Sequence, residues 1–202
     1  MKSRQDTRKR ILDAAAELLQ HNGFSGFSYQ HIARRLGVKN ATIHYHFPSK
    51  TDLGVAVIRR YRSNFAWWAE QLDRRQSGPA ARLEAFFDLE TRYLREGKVC
   101  PLGVVGVEYA AIPDPMRRET EAFVGELLAW MGRTLRAGAE KGELVFREAP
   151  DNRALNLMAA LQGGLQLARV GGERAFGQIL DGLRADVGLD PQGARPGIGT
   201  AV

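Results

Sequence analysis

Between Ser28 and Lys50 the chain reads SYQHIARRLGVKNATIHYHFPSK, and Gly37 and Pro48 leave room there for only two short helices. Ser28 can act as an N-cap, because its hydroxyl can accept from a first-turn N–H that has no partner inside the helix. Phe27 before the cap and Ile32 after it form a hydrophobic staple that fixes how the chain enters. Ile32, Ala33 and Leu36 supply the apolar face, and Gly37 can take the positive φ that ends the helix. The second helix is expected from Asn40 to about His46, since Pro48 opposes continuation through Ser49. Ile43 and Phe47, four apart, face inward. Lys39, Asn40, Ala41, Thr42, His44, Tyr45 and His46 are left on the outer surface. An amide, a hydroxyl and a methyl group presented from a short helix suit reading of base edges in a major groove. An ordinary solvated helix face fits the same pattern.

The wider context favours the first reading. ILDAAAELL is followed by NGF, then by IA-x-x-LGV, then by T-I-x-Y-H-F-P-S-K ahead of a long helix. With these motifs, the segment Thr7 to Leu53 closely resembles the amino-terminal domain of the TetR family of transcriptional regulators. The resemblance covers roughly the first quarter of the chain. It implies a three-helix domain that binds double-stranded operator DNA through Ser28, Tyr29, Gln30, Lys39, Asn40, Ala41, Thr42, His44, Tyr45, His46 and Lys50. Two positions depart from the family. Many members have Ser where Lys39 stands, which caps the reading helix, and Tyr where His44 stands, which reaches a phosphate. Asn40 is therefore expected to take the cap, and Tyr45 or His44 the phosphate.

Charge agrees with this placement. The net charge is +6, and residues 1–50 hold nine Lys or Arg against three Asp or Glu, while the remainder is balanced. A basic head on a neutral body favours attraction to phosphate. A lipid surface would also attract it, but the first helix has acids within it and lacks interfacial aromatic anchors. The basic start leads into an amphipathic segment interrupted by Asp13 and Glu17 rather than a secretory signal, and no apolar run reaches a membrane-spanning length. One cysteine, Cys100, forms no internal disulfide, which fits a cytoplasmic location. None of the four histidines stands at zinc-ligand spacing from it, so no metal or other cofactor is expected.

The rest of the chain predicts an all-α fold of about nine helices. Residues 2–10, with Lys2, Arg4, Arg8, Lys9 and Arg10, read as a mobile basic arm along a phosphate backbone or the adjacent minor groove, or equally as a solvated tail, and a first helix follows from about Asp6 to His21, closed by Asn22-Gly23. Ser49 and Asp52 form a capping box for a long helix with the stripe Leu53, Val57, Tyr61, Phe65, Trp68 and Leu72. It should end before Ser77-Gly78-Pro79. Helical patterns then run from Pro79 toward Gly97, through the apolar segment LGVVGVEYAA after Pro101, and from Asp114 until Gly142. The last two run from about Asp151 to Val170 and from Glu173 to Val187. Leu144 to Phe146 reads as a briefly extended piece. The expected organisation is a DNA-binding domain at 1–50, a helical effector-binding and dimerisation domain at 51–188, and a disordered tail at 189–202.

Beyond residue 53 only a helical body can be read, so control is what the resemblance implies. In the family this body binds a small molecule, the spacing of two reading heads changes, and operator affinity falls. A small apolar or aromatic effector would find Tyr61, Phe65, Trp68, Phe87, Val104, Phe123, Trp130 and Gln162 available. Glu108, on an otherwise apolar segment, needs a partner: a ligand amine, an arginine or solvent. Cys100 lies in CPLGVVGVEY, which is distantly similar to thiol-responsive family members; the ordinary alternative is a small buried hydrophobe. Ala160, Gly163, Gly164 and Ala168 permit close helix approach, and Phe176, Ile179, Leu180 and Leu183 share one face. Together they could build a homodimer interface, or an intrachain seam. No nucleophile–base pair or metal set suggests an enzyme.

Overall fold

The structure, a computed structural model, describes residues 4–98 and 100–189. Among these it has nine α-helices: α1 Arg4–Asn22, α2 Tyr29–Leu36, α3 Asn40–His46, α4 Lys50–Arg74, α5 Pro79–Arg95, α6 Pro101–Val107, α7 Asp114–Glu140, α8 Pro150–Gly171 and α9 Glu173–Asp186. The expected tail lies, but for Leu189, outside the described residues. No described helix is long and apolar enough to cross a membrane.

The described residues form two compact units, one of residues up to 76 with 96–127, the other of 77–95 with 128 onward. In the first, α1, α2, α3 and α4 enclose Ile11, Ala15, Leu19, Ile32, Ile43, Leu53, Val57 and Ile58, and the same apolar cluster takes in Val105, Ile112 and Met116. Burial of each large aliphatic chain contributes about 1.5–3 kcal/mol. Packing therefore continues past residue 50 into α6 and the start of α7. Gly54 shows how close this approach is, since a Cβ there would lie 2.4 Å from the Met116 sulfur. Arg62 Nε on α4 donates to Glu126 on α7 at 3.1 Å, and Arg59 Nε donates to Glu119 at 2.7 Å.

The capping box of α4 forms as its sequence predicts: Asp52 N–H donates to Ser49 Oγ at 3.1 Å and Ser49 N–H to Asp52 Oδ2 at 3.0 Å. Three local expectations need correction. The basic residues Arg4, Arg8, Lys9 and Arg10 belong to α1 rather than to an arm, because the helix continues back to Arg4. Lys39, not Asn40, occupies the N-cap of α3; its extended backbone places its carbonyl 2.9 Å from the Thr42 N–H, and its side chain makes no capping bond. The apolar segment after Pro101 stops at Val107, with Glu108 at the C-cap and Val107 80% exposed, so it is not a buried helix through Ala111.

In the second unit, α8 and α9 pack along Leu161, Leu165, Ala168, Phe176, Leu180 and Leu183, all buried. Arg184 on α9 forks onto Glu84 of α5, with Nε–Oε1 at 2.9 Å and a second nitrogen 2.9 Å from Oε2. After Gly142 the chain at Leu144 to Phe146 is non-helical but forms no strand, and Val145 N–H donates to the Val187 carbonyl at 2.9 Å.

Candidate nucleic-acid interface

The helix-turn-helix is set by a few backbone decisions. Ser28 stands at the N-cap of α2 with φ −134° and ψ 169°, and its N–H donates to His31 Nδ1 at 3.2 Å. Gly37 closes α2 at φ 65°, in the left-handed region where a side chain is disfavoured. Val38 N–H then reaches back to the Ala33 carbonyl at 3.1 Å. Ile43 and Phe47 anchor α3 in the core at 0% and 3% exposure, so the opposite face must point outward. Asn40, Ala41, His44 and Tyr45 are exposed there, with Thr42 and His46 half-buried. Ser28 and Gln30 are exposed at the start of α2, and Lys39 is exposed in the turn.

Tyr29 and Lys50, both expected to face DNA, have internal work instead. Tyr29 is 8% exposed and its hydroxyl donates to the Phe47 carbonyl at 2.8 Å, so it ties the start of α2 to the end of α3. Burial, with a smaller push from Asp52, raises its pKa to about 12. Its ring meets His44 edge-on at 4.6 Å, and His44 Nδ1 lies 3.3 Å from the Pro48 carbonyl. The Lys50 ammonium donates to the Phe24 carbonyl at 2.5 Å and lies 4.4 Å and 4.7 Å from the Phe24 and Phe27 ring centres. Desolvation lowers its pKa, and Glu108 opposes that shift.

Arg4 and Arg8, expected in an arm lying along phosphate or in solvent, stand instead four apart on one face of α1. The Arg4 guanidinium sits 5.0 Å from the Tyr45 ring centre and Arg8 lies 4.9 Å from that of Phe47. A notch lined by Arg4, Gln5, Arg8, Tyr45 and His46 results. Burial and the field of these two arginines lower the His46 pKa. Meanwhile the acids of α1 are engaged, Glu17 by Arg35 and Asp13 by Arg60, the latter at 2.6 Å. The outer side of α3 thus carries hydrogen-bonding groups beside concentrated positive charge.

The sequence profile of the bacterial regulatory proteins of the tetR family matches residues 11–57, and that of the tetracyclin repressor-like C-terminal domain matches residues 79–180. The chain belongs to the TetR family. The transcriptional regulator AcuR of Cereibacter sphaeroides is 29% identical over 171 residues, covering 79% of this chain and 75% of that one. A solved TetR family regulator from Agrobacterium tumefaciens superposes with a TM-score of 0.87 at 27% identity, covering 92% of this chain and 99% of the other. A regulator from Saccharomonospora viridis, solved in complex with choline, gives 0.73 at 24% identity, with coverage of 91% and 98%. TetR family members are transcriptional regulators with the all-helical fold seen here.

The expected effector residues of this TetR family chain fall in both units. In the first, the Phe65 ring lies 5.7 Å from Trp68 and 6.1 Å from Phe123. Tyr61 stands on the same helix as Phe65, but its hydroxyl donates to the Ala16 carbonyl at 3.2 Å, and burial pushes its pKa well up. Cys100 is 4% exposed at the N-cap of α6, and Val104 packs against the core. Glu108 is the clearest departure: its carboxylate is held by backbone N–H groups of the α1–α2 turn rather than facing the aromatic residues. In the second unit Phe87 is fully buried, Trp130 lies 5.6 Å from Phe86, and Gln162 is half-buried on α8.

The expected dimer residues are also redistributed. Gly164, Ala168, Phe176, Leu180 and Leu183 are buried between α8 and α9 of one chain, and a Cβ at Gly164 would lie 3.2 Å from Ile179. They are an intrachain seam, with Ile179 half-buried beside it. Ala160 is half-buried, and of the set only Gly163 is exposed. The opposite face of α8 carries Leu155, Ala159, Gly163, Leu167 and Val170, all exposed; Val170 is 94% exposed.

Proposed function

We propose that this chain is a ligand-responsive repressor that binds a palindromic operator as a homodimer and is released by a small molecule. The observation that carries the reading is the outward face of α3, where Asn40, Thr42 and Tyr45 sit beside the Arg4–Arg8 charge while Ile43 and Phe47 hold the helix rigidly from behind. A rigid helix with exposed donors and acceptors can discriminate base pairs, and flanking cations supply affinity for phosphate. His44 and His46 extend the polar surface at the end of the helix.

Two-fold operators require two heads. The exposed stripe Leu155, Ala159, Gly163, Leu167 and Val170 has the helical spacing and small central residues needed to pack against its own copy about a two-fold axis. It replaces the α8–α9 seam as the proposed dimer face. Phe65, Trp68 and Phe123 form the aromatic wall proposed for an apolar or aromatic effector. The tetracyclin repressor-like match over 79–180 and the choline complex of the Saccharomonospora regulator support a small-molecule role for this body.

Control follows from linkage: a molecule that binds the low-affinity conformation better than the DNA-bound one must weaken DNA binding, and DNA must weaken its binding reciprocally. The test is a gel shift on the DNA flanking the chain's own gene, with and without a panel of small molecules. A discrete complex that competitor DNA does not remove, and that one compound class dissolves, is the expected result. A complex insensitive to the whole panel would leave a constitutive regulator, and no complex at all would overturn the reading.

A further inference from the structure

The turn between α1 and α2 is held by a residue more than eighty positions away. Phe24 and Ser25 point consecutive backbone N–H groups at the Glu108 carboxylate; Phe24 donates to Oε2, and Ser25 to Oε1 at 3.0 Å. Consecutive amides converging on one anion form a nest, and charge-assisted bonds of this kind are stronger than neutral ones. Gly23 makes room for it. Its φ is +74°, and a Cβ there would lie 2.8 Å from Glu108 Oε2.

The carbonyl side of the same turn is held as well. Lys50, the first residue of α4, donates to the Phe24 carbonyl at 2.5 Å. Phe24 therefore receives a cation on its C=O side and presents its N–H to an anion. Glu108 is the C-cap of α6, whose Val105 lies in the core shared with α1–α4. Beyond the turn the chain passes directly into α2 and the reading helix.

We infer that Glu108 is a positioning residue: through the Phe24–Ser25 amide nest it ties the end of α6 to the turn that sets α2 and α3, and so fixes the head for DNA. The inference rests on the DNA-reading proposal above. Shifting α6 must either carry the turn with it or break two charge-assisted bonds, so the end of α6 and the reading helix bias one another. Val107 and Tyr109 flank Glu108 and are exposed, and the Tyr109 hydroxyl donates to Glu121 on α7. Val105 packs into the core from the last turn of α6, and the polar clasp is the link that reaches the turn itself.

The experiment compares wild type, Glu108→Gln and Glu108→Ala, using amide hydrogen exchange at Phe24 and Ser25 together with affinity for a duplex selected by wild type from a random pool. Glu108→Ala should accelerate exchange at both amides by at least about tenfold. It should also weaken the selected duplex by about 5- to 10-fold while leaving random-duplex affinity and melting temperature near wild type. Glu108→Gln retains one acceptor oxygen and should fall between. Unchanged exchange and affinity in Glu108→Ala would overturn the inference, as would equal losses on selected and random DNA with a falling melting temperature. If Glu108→Ala does not fold, the Gln variant decides by the same criteria. Should wild type select no duplex, the DNA-reading proposal fails instead; accelerated exchange would then still establish the clasp, and unchanged exchange would refute it.

Discussion

The side chains of α3 divide by what they can reach. Asn40 and Thr42 carry the amide and hydroxyl suited to base edges, whereas Arg4 and Arg8 bring the charge and N–H donors suited to phosphate. Asn40→Ala and Thr42→Ala should each weaken specific binding by about 1–3 kcal/mol and leave random-duplex binding nearly unchanged; parallel competition titrations at one salt concentration check this. Tyr29→Phe separates a brace from a DNA contact. Losing the hydroxyl that serves the Phe47 carbonyl should cost about 1 kcal/mol of folding stability, with the salt dependence of DNA binding unaltered. His46 supplies a pH test. An unfolded histidine takes its proton near pH 6.5, but burial and the two arginines depress the folded value. Below pH 6.5 the unfolded state therefore binds more proton, so stability is full above that pH and falls as pH drops through the folded pKa. Melting temperatures from pH about 7.5 to about 5.5 should fall more steeply for wild type than for His46→Gln, in DNA-free protein.

Helix boundaries were legible wherever one residue decides them. Gly37, Pro48, Ser49 with Asp52, and Pro79 all mark ends found in the structure, because φ constraints and capping act over a few residues. Partners across long separations were not legible. Lys50 looked like a phosphate ligand because a cation at a helix start near DNA invites that reading, yet its ammonium turns onto the Phe24 carbonyl. Phe176, Leu180 and Leu183 form the periodic apolar face that sequence displays, but periodicity gives no information on whether a face is covered by its own chain or by another. The α8 helix answers this through its two faces. Replacing Leu155 and Leu167 together by Glu should give monomers by sedimentation with helix content retained, since both lie on the exposed side. Gly164→Trp should instead overpack the Ile179 and Phe176 contacts and lower stability by about 1–3 kcal/mol. The reverse pattern would return the seam to the dimer interface.

Taken as a whole, the chain joins a DNA-reading head to a body whose control is read mainly by family likeness. The head was the more legible part because its motifs are dense and local: IA-x-x-LGV and Y-H-F-P-S-K specify two short helices and their turn within a few dozen residues. The body shows only helical periodicity, so Glu108, read as a possible ligand group, is found clasping the head. Core packing likewise joins α6 and the beginning of α7 to α1–α4, a grouping that sequence order conceals. The central claim is sequence-specific recognition by two copies of α3. The direct measurement is selection from a random duplex pool followed by stoichiometric titration of the enriched duplex. The account predicts an inverted repeat with half-sites about one helical turn apart, bound by an even number of chains with each two-fold pair spanning one repeat, and resistant to excess random DNA. Enrichment of no sequence over the starting pool, with equal affinity for every duplex, would contradict it.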